Sequence, residues 1–103
     1  MSPGWTEADI PRLNPARVER IRALLTEALA PLALKVHDDS HRHAGHAGAR
    51  GGLGHFRVEI VSAAFVGKPL LARHRMVHAA LGEMLRTDIH ALAITARAPG
   101  EGD

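Results

Sequence analysis

The residues in this chain best suited to chemistry are its histidines. Its 103 residues include eight histidines and no cysteine. His41, His43 and His46 sit in a glycine- and alanine-rich stretch, with no large apolar side chain between them to order it. Such a segment bends easily, and imidazole nitrogens are good ligands for borderline metals. The same composition equally suits a flexible polar linker. His90 stands at the start of an alternating apolar run, where it is either structural or directed from the end of a sheet toward that loop. Two protein ligands are too few for a closed structural zinc site, which takes four. A site built from His90 and a loop histidine would therefore be open and would draw its other ligands from elsewhere. His74 and His78 lie four apart, on one helical face, a spacing that can chelate a metal. Arg75 stands beside His74 where a zincin has Glu, so this pair reads as structural or as a partner contact. His37 and His55 fall at strand ends and read as structural.

The absence of cysteine excludes a disulfide framework, a catalytic thiol and a zinc ribbon. Taken alone, it also speaks against iron–sulfur chemistry, because such clusters are usually held by thiolates. No Ser-His-Asp order, paired carboxylates, Walker loop or dinucleotide fingerprint is present, so the chain is not expected to be an enzyme. Thirteen Lys and Arg face eleven Asp and Glu, for a formal charge of +2. The isoelectric point of 9.9 reflects the predominance of Arg among the bases. This balance permits nucleic-acid contact without requiring it. No apolar run approaches the roughly 18 residues of a membrane span. The first fourteen residues are polar and acidic rather than basic and then apolar, which argues against a signal peptide. The expectation is a soluble cytoplasmic protein.

The elements that must position these histidines can be read from periodicity. Residues 1–13, broken by Pro3, Gly4 and Pro11, read as a flexible N-terminal arm, with a domain over 14–101. Asn14 suits an N-cap and Pro15 the first helical position. Val18, Ile21, Leu25 and Leu29 then recur at helical spacing, and Pro31 ends the helix. Leu32, Leu34 and Val36 alternate with Ala33, Lys35 and His37, which predicts a strand with one buried face. Asp38, Asp39 and Ser40 stop it. The loop from His41 to Gly54 follows, with five glycines. Loops of that length inside a compact domain are usually functional or mobile. Phe56, Val58 and Ile60 mark a second strand. The turn Gly67-Lys68-Pro69 introduces a helical region carrying Val77, Leu81, Met84 and Leu85. A last strand runs from Ile89 to Ala96, with His90, Leu92, Ile94 and Ala96 on one face. The first two strands can pair as a hairpin, and the third must join after a helical crossover. The result is an α+β fold: a three-stranded sheet with helices packed on one face.

Several blocks, taken in order, resemble the BolA family. They are Asp38-Asp39-Ser40-His41-Arg42-His43-Ala44-Gly45-His46, His55-Phe56-Arg57-Val58, and Ile60-Val61-Ser62 with Phe65 and Gly67. The strongest is Arg73-His74-Arg75-Met76-Val77, followed by Ile89-His90-Ala91-Leu92 and Arg97-Ala98-Pro99-Gly100-Glu101. The resemblance spans roughly residues 15–101. It implies a class II KH-like fold and partnership with a monothiol glutaredoxin, with which such proteins share a [2Fe–2S] cluster. In that arrangement the glutaredoxin cysteine and glutathione supply thiolates. The BolA-like chain supplies a C-terminal histidine, matching His90, and a loop ligand, matching His43 with His46 as its rival. No cofactor is then expected in the isolated chain, which would be monomeric or weakly dimeric and bind no membrane. Two imidazoles and two thiolates make a Rieske-like set. An imidazole must lose its proton to ligate, so such a complex is expected to weaken as pH falls through about 6.5.

The family resemblance also implies a second role, DNA-binding transcription regulation. It would use a helix-turn-helix-like basic segment, here Lys68, Arg73, His74 and Arg75, with phosphate contacts that position rather than specify. The chain departs from the common Gly-Glu-Thr-His-Phe of the family at Gly52-Leu53-Gly54-His55-Phe56, losing a carboxylate and a hydroxyl.

Overall fold

The computed structural model describes residues 14–40 and 54–101, with the side chain of Asn14 left out. The arm expected over residues 1–13 lies outside the described residues, as do His41, His43 and His46. The elements run α1 (Asn14–Leu29), β1 (Ala33–Asp38), β2 (Gly54–Val61), a single 3-10 turn (Ala63–Phe65), α2 (Leu70–Leu81), α3 (Met84–Thr87) and β3 (Ile89–Arg97). This is the expected α+β order. The sheet is mixed, in the order β1-β2-β3. β1 pairs antiparallel with β2, from Ala33 opposite Val61 to Asp38 opposite Phe56. β3 returns through α2 and α3 and pairs parallel with β2.

Burial explains why these segments take these forms. Ile21, Leu25 and Leu29 are one turn apart on α1 and are all buried. Residues 54 to 61 of β2 alternate strictly between buried and half-buried. Phe56, Val58 and Ile60 therefore face the helices, and His55, Arg57 and Glu59 face away. Phe65, Val77, Leu81, Met84, Ile89 and Ala96 complete the core, with Leu34, Val36, Leu92 and Ile94 packed against it. β2 is the central strand, which is why its inward side chains are at most 2% exposed.

Two expectations, on Leu32 and His90, are corrected. Leu32 does not share the buried face of Leu34 and Val36; it precedes β1 and is 72% exposed. The helical region expected after Pro69 is present as two helices, because Gly82 takes φ 53° and divides α2 from α3. His90 does not share a face with Leu92, Ile94 and Ala96. The register slips between Gly54, opposite Ile89, and His55, opposite Ala91. His90 is thus the extra residue of a β-bulge, and Ile89 takes the inward position at 4% exposure.

Candidate functional site

The bulge decides where the histidines meet. Ile89 takes the inward place, so His90 is left exposed. Its ring lies 5.0 Å from the ring of His55, the planes tilted by 53°. The backbone of His55 is clamped from the other side. Its N–H donates to Ser40 Oγ at 3.0 Å, and its carbonyl accepts from the Asp39 N–H at 2.8 Å. Ser40 is itself held by an N–H bond to Asp38 Oδ1, 2.9 Å, a short turn that ends β1. On the opposite flank, the Gly54 N–H donates to the Asp88 carbonyl at 2.8 Å. The Asp88 side chain pairs with Arg17 of α1 at 3.2 Å. Ser40 and Gly54 are the two described residues flanking the histidine loop. The fold thus brings both stems of that loop beside His55 and His90, at one end of the sheet.

The outward row of β1 and β2 continues with charged pairs. His37 Nε2 lies 2.7 Å from Glu59 Oε2. That hydrogen bond is the main reason the Glu59 carboxyl titrates below its ordinary range. Arg57 reaches Asp39 at 3.2 Å and Glu59 at 3.4 Å. Ala91 and Ala93, small residues of β3, are exposed on this side.

The basic segment is built differently. The Arg73 guanidinium, 8% exposed, is turned inward. It donates to Glu101 through two bonds of 2.7 Å, to the Lys68 carbonyl at 2.8 Å and to the Ala96 carbonyl at 3.1 Å. It also lies 6.0 Å from the centre of the Phe65 ring. Glu101 in turn accepts from the Ala98 N–H at 3.0 Å. Its carboxyl is driven down to about 2, first by the Arg73 hydrogen bonds and then by the Ala98 N–H. Arg73 thus ties α2 to the end of β3, and the exposed cations of the segment are Lys68 and Arg75. His74 is half-buried, lining a shallow cleft between α2 and β3 with Leu70, Ile94 and Glu101. His78 is exposed in the last turn of α2.

Sequence reasoning treated His55 as structural and missed its approach to His90. Nothing local signals the pairing, because it depends on the parallel register of β2 and β3. Among the described residues no three His, Asp or Glu side chains gather into a metal-sized cluster. The chain has no thiol, so this end of the sheet can contribute imidazoles and nothing softer. Among the described residues no helix is long and apolar enough to cross a membrane.

Comparison with known proteins gives a consistent picture. The family model described as BolA-like protein matches residues 25–101. BolA-like protein 1 of Homo sapiens is 49% identical over 81 residues, which cover 79% of this chain and 57% of that protein. The DNA-binding transcriptional regulator BolA of Escherichia coli K12 is 45% identical over 76 residues, 74% of this chain and 70% of that one. Among solved structures, the BolA domain of SufE1 from Arabidopsis thaliana superposes with a TM-score of 0.74 at 44% identity, covering 84% of this chain and 95% of that domain. Several curated relatives are longer, and the matched region spans little more than half of the human protein and 24% of the Arabidopsis SufE-like protein 1.

Proposed function

The chain belongs to the BolA-like protein family, and from that premise we propose that it is a non-enzymatic adaptor that binds a monothiol glutaredoxin and co-ligates a shared [2Fe–2S] cluster, in iron–sulfur trafficking or iron regulation. The observation that carries this reading is the position of His90. It is exposed at the end of the sheet, beside both stems of the loop that holds His43 and His46. The donor set fits a shared cluster rather than a private one, because imidazoles are at hand and the chain has no thiol. His90 and one loop histidine would hold one side, and the partner cysteine and glutathione the other. When bound, such a cluster supplies one-electron chemistry at a potential raised by its histidines. The task of this chain is to present neutral imidazoles on a rigid strand end and to leave the facing side open to the partner. The reading requires a compartment that keeps thiols reduced, and the cytoplasm is the one proposed.

Mixing the chain with a monothiol glutaredoxin, glutathione, iron and sulfide tests it. A complex with visible absorbance that differs from that of the glutaredoxin alone, and that is lost in His90→Ala, is the expected result. An unchanged spectrum in His90→Ala would sink the reading.

A DNA-binding role is the second reading. It is favoured by the sequence of α2, which contains no Asp or Glu and exposes Arg75 close to the exposed Lys68. Arg73 contributes no free charge to such a surface, since its guanidinium is engaged by Glu101. A mobility shift of promoter DNA that weakens steeply with salt, and weakens further in a Lys68→Ala/Arg75→Ala variant, would favour it.

A further inference from the structure

We propose that residues 6–10, in the segment preceding α1, add to the outer edge of β3 as a fourth, antiparallel strand, so that the chain covers its own sheet edge. The two outer edges of the sheet are finished differently. β1 has only six residues, exposes Lys35, and its Leu34 carbonyl accepts from Arg22 at 3.4 Å. Short, charged edges of that kind resist further pairing. β3 has nine residues and contains no Lys, Asp, Glu or Pro. The Arg97 carbonyl accepts from the Ser62 N–H, so residues 91, 93, 95 and 97 turn their backbone groups toward β2. Leu92, Ile94 and Ala96 turn theirs outward, and Arg73 takes the Ala96 carbonyl at 3.1 Å. Among the described residues nothing bonds the outward groups of Leu92 and Ile94. Beside them α2 exposes Leu70 and Leu71, and Leu70, His74 and Ile94 line a cleft along the strand.

The occupant follows from reach, pattern and charge. Thirteen residues precede α1. Arg17, in the first turn of α1, meets Asp88 at 3.2 Å, so the chain enters α1 beside the start of β3. The four steps from Ile10 to Asn14 span up to about 13 Å. Residues 6–10 as a strand cover about 17 Å, the length of residues 92–96. A strand leading down into α1 there runs antiparallel to β3. Trp5-Thr6-Glu7-Ala8-Asp9-Ile10 alternates between two faces and is bounded by Gly4 and Pro11. Pro11 has no N–H with which to continue a ladder. With Ile10 opposite Leu92 and Ala8 opposite Ile94, Ile10 and Ala8 fall on the helix side, and Glu7 and Asp9 on the side of Arg97. Neither α2 nor β3 contains an acid, and Glu101 is held by Arg73, while Lys68, Arg75 and Arg97 surround the cleft. Arg12, the one base of the segment, falls in the link to α1. A second copy offers no such match, since β3 against β3 brings together two acid-free strands and two basic helices.

Amide hydrogen exchange of the whole chain, followed by NMR at two concentrations tenfold apart, tests the proposal. The Leu92 and Ile94 amides should be protected to within tenfold of the Ala93 and Thr95 amides, equally at both concentrations. In Ala8→Pro, and separately in Glu7→Lys/Asp9→Lys, protection of Leu92 and Ile94 should fall at least tenfold. The Ala93 and Thr95 amides, directed at β2, should stay within about twofold and so report an intact sheet. Free exchange of Leu92 and Ile94 in the parent overturns the proposal, as does protection that survives either variant. Protection that appears only at the higher concentration also overturns it and gives the edge to a second copy.

Discussion

At one end of the sheet, Arg73 brings a full charge into the protein and meets Glu101, two backbone carbonyls and an aromatic face. At the other end, the half-buried His55 and the exposed His90 bring their ring centres to 5.0 Å. Both ends hold polar groups that arrive from segments distant in sequence. They differ in what those groups have left to give. The guanidinium is used up by the protein itself, so that end holds the fold together. At the histidine end it is the His90 ring that stays exposed. A cluster of cations in sequence is thus not the same as a cationic surface, and an isolated histidine is not the same as a lone one.

The largest effect should come from Arg73→Ala. It leaves the Ala96 and Lys68 carbonyls without their donor and unlatches Glu101, so thermal melting should fall by about 10 °C or more. A shift of only a few degrees would erase the distinction between the two ends. Next is Gly54→Ala at the histidine end. An added methyl group would run into the Phe56 ring and lie 3.0 Å from Ser40 Oγ. Phe56 is 2% exposed and cannot move freely, so a loss of about 1–3 kcal/mol is expected in urea denaturation.

Third is an acid limb that belongs to the arginine end. Glu101 titrates at about 2 in the folded chain against an ordinary 4.5. A depressed carboxyl stabilises the fold fully above the unfolded value and loses that contribution as pH falls from about 4.5 through 2. Glu101→Gln should flatten stability against pH across that window, measured by denaturation at successive pH values. A smaller gain is expected from Ala30→Gly. Ala30 ends α1 at φ 44°, a left-handed conformation that costs an L-residue roughly 1–2 kcal/mol. Glycine relieves it at some entropic cost, for a net gain of up to about 1 kcal/mol. Smallest is His90→Ala, which should change stability by no more than about 0.5 kcal/mol because the side chain is exposed. A large loss there would make His90 structural and remove the contrast.

Periodicity carried most of the fold. Ile21, Leu25 and Leu29 could only line one side of a helix, and Phe56, Val58 and Ile60 only one side of a strand. The same reasoning failed for Leu32, because alternation does not say where pairing begins. It failed for His90 because a one-residue bulge reverses the alternation without any mark in the sequence. It failed for the Arg73 side chain because Arg73-His74-Arg75 has the composition of a solvated basic patch. The partner that takes Arg73 inward, Glu101, comes after the whole of β3. The loop histidines are the reverse case: His43 and His46 were the plainest candidates in sequence, and they lie outside the described residues.

The amino-acid sequence by itself determined the order of elements, the supply of imidazoles, the lack of any thiol and the resemblance to the BolA family. Those properties are local, set by residue type, spacing and short motifs. Only the tertiary structure decided that His55 and His90 are neighbours and that Arg73 faces the core. Both outcomes follow from the parallel pairing of β3 with β2. That pairing joins segments separated by two helices, and its register is set by which apolar side chains fill the core, not by the polar residues it brings together.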